Sequence, residues 1–206
     1  MFKDRHDAGR QLAEKLAKYR GQDAVVLALP RGGVVVGCEI AQALELPLDI
    51  VVVRKVGHPN NPEYAIGAVD DKGTVMLNDA EAESVNQAWL ADEIKRQKEE
   101  AMRRVKAYRN NREPVAISGK TALVVDDGIA TGLTMRLVVR FLRAQNPTRI
   151  VVAVPVASAE SVGNLRKEAD EIITLEPPEE FLGAVGSHYL EFAQVRDAEV
   201  IRLLSE

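Results

Sequence analysis

Short, largely apolar runs alternate along this chain with longer stretches in which apolar residues return every three or four positions. The runs at 24–29, 48–53, 121–125, 149–154 and 171–175 are strand-sized, and the first is continuous enough for a strand buried on both faces. Leu12, Leu16 and Tyr19 share one face of a helix that Asp7 would cap and Gly21 would end. Residues 34–44 and 133–144 carry the same period and read as helices returning from the first and third runs. Strand and helix alternating in this way predict an α/β fold built on a parallel sheet with helices on both faces.

The rest of the pattern is less regular. Residues 54–64 are polar, with Pro and Gly, and read as a loop. Residues 65–69 and 74–77, separated by Asp71-Lys72-Gly73, predict a hairpin. From 79 to 109 the chain is charged and helical, with Val85, Trp89, Ile94, Met102, Val105 and Tyr108 as a sparse apolar stripe, and a polar linker follows at 110–120. That stripe suits packing or a copy of the same chain better than a ligand, and a homo-oligomer is compatible with it. Beyond 176 the composition changes to Pro177-Pro178, three aromatics and a last short helix.

Composition narrows the classes. With 206 residues, 46% apolar and 28% charged, the chain reads as one globular domain. A net charge of −4 gives no field that would draw nucleic acid, so an anionic ligand must be caught by local dipoles and a few cations. The lone Cys38 allows no internal disulfide, as expected of a reducing compartment. Met1 to His6 is charged with no apolar signal region after it, and no run approaches a membrane span. A soluble cytoplasmic protein is the expectation.

The chemistry concentrates where the third run ends. Asp126 and Asp127 close the strand, and Gly128, Ile129, Ala130, Thr131 and Gly132 form a short loop into the helix that starts at Leu133. A glycine-bracketed loop at a helix N-terminus presents free backbone N–H groups and a positive dipole end to a phosphate, with hydroxyls from Thr131 and Thr134 in support. Carboxylates only accept hydrogen bonds, so the acid pair suits sugar hydroxyls or a metal-bound water. Together these residues describe a sugar-phosphate binder. Pro30-Arg31-Gly32-Gly33 stands at the equivalent place after the first run, where Gly32 and Gly33 allow close backbone approach and Arg31 offers a fork to phosphoryl oxygens. Arg54 and Lys55 end the second run, as two cations on opposite faces of one strand, of which one would reach a pyrophosphate.

The stretch Val-Asp-Asp-Gly-Ile-Ala-Thr-Gly-Leu-Thr resembles the phosphoribosyl pyrophosphate (PRPP) signature of type I phosphoribosyltransferases, departing at Leu133, where relatives often have Gly or Lys. The resemblance covers roughly residues 24–155 and implies a parallel-centred sheet flanked by helices, with a core at about 1–175 and a small C-terminal hood at about 176–206. It implies that Asp126 and Asp127 hold the ribose, that 128–132 and Thr134 cradle the 5′-phosphate, and that Arg31, Gly32 and Gly33 form a pyrophosphate loop whose peptide is often cis. It further implies a lid that closes over the reacting bonds, here Gly57, His58 and Glu63, and a hood in which Phe181, Tyr189 and Phe192 stack on a base. Expected partners are PRPP, a nitrogenous acceptor such as a nucleobase, and Mg²⁺ carried by PRPP and water, with no direct protein ligand to the metal. The implied reaction is phosphoribosyl transfer with release of pyrophosphate. The rival reading is a non-catalytic PRPP sensor. Some purine-salvage relatives have an acid at the place of Ala130, so the acceptor stays open.

Overall fold

The computed structural model describes residues 1–110 and 112–205, and the Glu63 side chain lies outside the described residues. In chain order the first elements are α1 (Arg5–Lys15), β1 (Ala24–Ala28), α2 (Gly32–Leu44) and β2 (Leu48–Ile50). Next come β3 (Val53–His58), β4 (Asn61–Asp70), β5 (Val75–Leu77), α3 (Asp79–Ser84) and α4 (Gln87–Arg109). The last are β6 (Thr121–Val125), α5 (Leu133–Arg143), β7 (Arg149–Val154), α6 (Ala159–Leu165), β8 (Glu171–Thr174) and α7 (Asp197–Ser205). They form two compact units, one of Met1–Val51 with Arg112–Glu206 and the other of Val52–Asn111. No helix among the described residues is long and apolar enough to cross a membrane.

The first unit is built on a five-stranded sheet in the order β2-β1-β6-β7-β8. Every pairing in it is parallel. All five residues of β1 are buried, as an unbroken apolar run requires when helices cover both faces. On one face Leu12, Leu16, Val36, Ile40 and Leu44 of α1 and α2 pack on Val26, Leu123, Val125 and Val151. Side chains of this kind contribute about 1.5–3 kcal/mol each when fully buried. From β1 the chain steps outward to β2, and from β6 it steps the other way to β7 and β8. The order therefore reverses between β1 and β6, and ligands of open α/β sheets bind beyond the strand ends at such a point.

Asp4, not Asp7, caps α1: its carboxylate accepts from Asp7 N, while Asp7 accepts from Lys3 N. That backbone bond also lowers the Asp7 pKa. The helix ends at Lys15 and continues only as a 3-10 turn through Ala17–Tyr19.

The second unit has a three-stranded antiparallel sheet, β3-β4-β5, under α3 and α4, with Val56, Ile66, Val69, Ala82, Val85 and Leu90 as its core. It corrects three expectations. The second apolar run is two strands, because β2 stops at Ile50 and Val53 starts β3 in the other sheet. The chain turns off where the buried Asp49 carboxylate accepts from Ile50 N and Val115 N. Residues 54–64 are a β-hairpin with a register irregularity near Gly57 rather than a loop, since Pro59 and Asn60 alone make the turn between His58 and Asn61. The expected helix at 79–109 breaks at Val85, which is extended, and restarts with Asn86 accepting from Trp89 N. The hairpin expected across Asp71-Lys72-Gly73 is present as β4 and β5.

Candidate functional site

Two glycine-bearing loops meet at the switch point. β1 and β6 are paired through Ala28 and Val125, and Leu29 N donates to Val125 O, so the residues that follow each strand emerge side by side. The chain after β1 turns at once into α2 through a cis Pro30–Arg31 peptide. Gly32 is pressed so closely against the acid pair that a Cβ there would sit 1.9 Å from Asp127 Oδ2. At Gly33 a Cβ would come within 2.8 Å of Val125 O and 2.9 Å of Asp126 Cα. Both positions need glycine because strand β6 and the acids that end it occupy the space.

The acid pair is held from below and from the side. Asp126 Oδ1 accepts from Asp127 N at 2.9 Å. Burial, and then the neighbouring Asp127 carboxylate, push the Asp126 carboxyl well above its ordinary range. Asp127 Oδ2 accepts from Arg5 Nε at 2.6 Å, and Asp127 O accepts from Tyr189 Oη at 2.6 Å. Burial and the acid pair together raise the Tyr189 phenol far above its ordinary value.

The loop after the pair is fixed from behind. Ile129 N donates to Val156 O, Ser158 N donates to Ile129 O, and the Ser158 and Ser161 hydroxyls lie 2.7 and 2.8 Å from Ala130 O. Gly128 packs on Val156 and Val185, where a Cβ would clash. Gly132 is the N-cap of α5, at φ 71 in the left-handed region, and makes no side-chain cap bond. The first-turn N–H groups of α5 have no acceptor within the helix and point with the positive end of its dipole toward the loop, flanked by the exposed Thr131 and Thr134. The arrangement can hold an anion on backbone donors and, at the same strand end, accept hydrogen bonds from a polyol.

Of the remaining sequence candidates, Arg31 is half-exposed, with its Nη1 3.5 Å from Asp197 Oδ1. In the C-terminal segment Tyr189 is buried between Phe2 and Phe192, at centroid distances of 5.4 and 4.9 Å. Phe181 stacks on the buried His188, which accepts from Leu182 N through Nε2 and faces Glu176 with Nδ1. These rings thus pack on one another and on the N-terminal residues. Arg54, Lys55, Gly57 and His58 lie in β3 of the second unit. Arg54 Nε donates to Gln97 Oε1 on α4 at 3.0 Å, so Arg54 faces that helix and Lys55, the next residue, the opposite side. His58 Nδ1 accepts from Asn60 N within the turn, and Gly57 has Pro62 against it, where a Cβ would meet Pro62 O at 2.3 Å.

Sequence reasoning missed Arg5, Ser158 and Ser161. The Ser158-x-x-Ser161 cap at the start of α6 was legible as a helix start, though its reach to Ala130 was not. Nothing local marks Arg5.

The family model described as phosphoribosyl transferase domain matches residues 2–191. Two Mycobacterium tuberculosis proteins, Rv0571c of strain H37Rv and MT0597 of strain CDC 1551, both named provisionally as phosphoribosyl transferases, are each 42% identical over 99% of the chain. The chain spans 46% of the length of each of these relatives. The crystal structure of TT1426 from Thermus thermophilus has 44% identity and a TM-score of 0.88, over 99% of this chain and 97% of that one.

Proposed function

Because the chain belongs to the phosphoribosyl transferase domain family, we propose that it transfers the 5-phosphoribosyl group of PRPP to a nitrogenous acceptor, with a nucleobase the leading class, and releases pyrophosphate. One observation carries this reading: the glycine loop after β1 and the acid pair after β6 lie in direct contact at the switch point, with Gly32 against Asp127. In this reading the 128–132 loop, through its backbone donors other than Ile129 N, which is spent on Val156 O, takes the 5′-phosphate with Thr134, and Asp126 and Asp127 take the ribose hydroxyls. The loop at Arg31, Gly32 and Gly33 takes the pyrophosphate. Phe181, Tyr189 and Phe192 belong to the hood that would face the acceptor.

Breaking the bond at ribose C1 leaves positive charge on the sugar and negative charge on the departing pyrophosphate. The protein's part is to hold both ends in line and to place donors where the pyrophosphate charge grows. Family members generally use Mg²⁺ with PRPP, and the adjacent carboxylates of Asp126 and Asp127 are hard oxygen donors that fit such an ion held through its waters. When bound, Mg²⁺ supplies positive charge to the ribose and pyrophosphate oxygens.

Incubation with PRPP, Mg²⁺ and a panel of bases, followed by assay of pyrophosphate, tests the proposal. Base-dependent release is expected, whereas PRPP binding without release under any base would identify a PRPP-sensing protein instead. Gly132→Val is expected to weaken ribose 5-phosphate binding at least tenfold, since a side chain at φ 71 is strained and would press on Ser161, and Leu133→Ala is expected to change it little. Equal losses in calorimetry at both positions would count against the loop geometry. Arg31→Ala is expected to weaken PRPP and pyrophosphate while sparing ribose 5-phosphate. A uniform loss for the three ligands would reject that division.

A further inference from the structure

We infer that Arg5 is a positioning residue for the acid pair, holding Asp127 Oδ2 against Gly32 so that Oδ1 is the oxygen presented to ligand. The inference rests on the reading that the acid pair takes the ribose.

Asp127 Oδ2 is closed in from two sides. Arg5 Nε donates to it at 2.6 Å, and the Cα of Gly32 is so near that no side chain fits between them. The Asp126 carboxylate is anchored in the same way through a single oxygen, its Oδ1 receiving Asp127 N. The two carboxyls also meet each other, but the anchor on Asp127 Oδ2 is a side chain from a distant element.

Arg5 is itself immobilised. Its Nη1 donates to Ala193 O at 2.8 Å, and its Cζ lies 3.7 Å from the Phe192 ring centroid. Only 11% of its side chain is exposed. A planar guanidinium can donate along two directions while its face rests on an aromatic ring, and a lysine ammonium cannot reproduce that set. A rigid anchor of this kind removes the rotamer freedom that Asp127 would otherwise lose on binding.

Calorimetric titration with ribose 5-phosphate of wild type, Arg5→Gln, Arg5→Lys, Asp127→Asn and the double variant Arg5→Gln with Asp127→Asn tests the role. Arg5→Gln is expected to weaken binding roughly 10- to 100-fold, as loss of a charge-assisted bond should, with Arg5→Lys in between. Added to Asp127→Asn, Arg5→Gln should change affinity by no more than about 2-fold, because a residue acting through Asp127 has nothing left to position. Wild-type affinity in Arg5→Gln overturns the inference. So does an undiminished loss on the Asp127→Asn background, which would place the effect in the segment around Phe192. If Asp127→Asn alone binds like wild type, the ribose reading fails with it, and that outcome is distinct from failure of Arg5 alone. Should Arg5→Gln not fold, the same cycle is run with Arg5→Lys, with the same criteria on a smaller scale.

Discussion

Asp126→Asn is expected to raise the thermal midpoint of this protein at neutral and alkaline pH while weakening ribose 5-phosphate binding. The carboxyl is partly buried beside a second carboxylate, and both facts disfavour its charge, so its pKa is raised from an ordinary value near 3.8. A raised carboxyl pKa means that the native state binds the proton more tightly than the unfolded chain does. Its favourable contribution is complete below the unfolded value and is lost as pH rises through the folded value. Asparagine carries no charge at any pH, and its Oδ1 can still accept from Asp127 N, the bond that orients the residue. The midpoint difference between variant and wild type should therefore grow as pH rises above the ordinary carboxylate range and through the raised folded value. Binding moves the other way, because a charged acceptor for a sugar hydroxyl is gone, a loss on the order of 1.5–3 kcal/mol. Thermal scans at several pH values, set beside calorimetry, check both halves. A variant less stable than wild type across the range would show that the Asp126 charge is a structural asset and not a cost carried for ligand.

Gly32→Ala and Gly33→Ala are expected to separate binding from stability. A methyl group at 32 would sit 1.9 Å from Asp127 Oδ2, the free end of a side chain, so Asp127 can swing aside at the cost of its bond to Arg5. Ribose 5-phosphate affinity should fall more than tenfold, with a modest drop in thermal midpoint. A methyl group at 33 meets the backbone of β6 at Val125 and of Asp126 just after it, which cannot step aside without disturbing the sheet. Overpacking of that kind costs about 1–3 kcal/mol and should appear as a larger fall in midpoint. The paired measurement is the midpoint and the calorimetric affinity of each variant. A Gly33→Ala protein with an unchanged midpoint would mean that the two loops are not packed as tightly as their backbones indicate.

How far the site was legible depended on how locally it is built. The acid pair, the glycine-bracketed loop and the start of α5 lie within one strand–loop–helix turn, so spacing alone placed them, and the structure keeps them there. Arg31, Gly32 and Gly33 were legible for the same reason. The hairpin of the second unit was not, because a polar, Pro- and Asn-bearing stretch has the same composition whether it is a loop or two strands joined by Pro59 and Asn60. The break at Val85 escaped for a related reason: a helical charge pattern tolerates one extended residue when the next one caps a new helix.

By itself the amino-acid sequence determined the parallel strand–helix units of the first unit, the family to which they belong, and the glycine-bracketed turn from β6 into α5, because each depends on periodicity and spacing between near neighbours. Only the tertiary structure decided that β1 lies beside β6, and hence that Gly32 touches Asp127, since strand order is set by packing across the sheet and not by any local pattern. It alone also brought Arg5 to Asp127 across 122 residues of chain, a contact that exists because the N-terminal residues pair with the segment around Tyr189. The partial burial of the Asp126 carboxyl, with a second carboxylate beside it, was decided in the same way, by what packs around it once the sheet and helices are assembled.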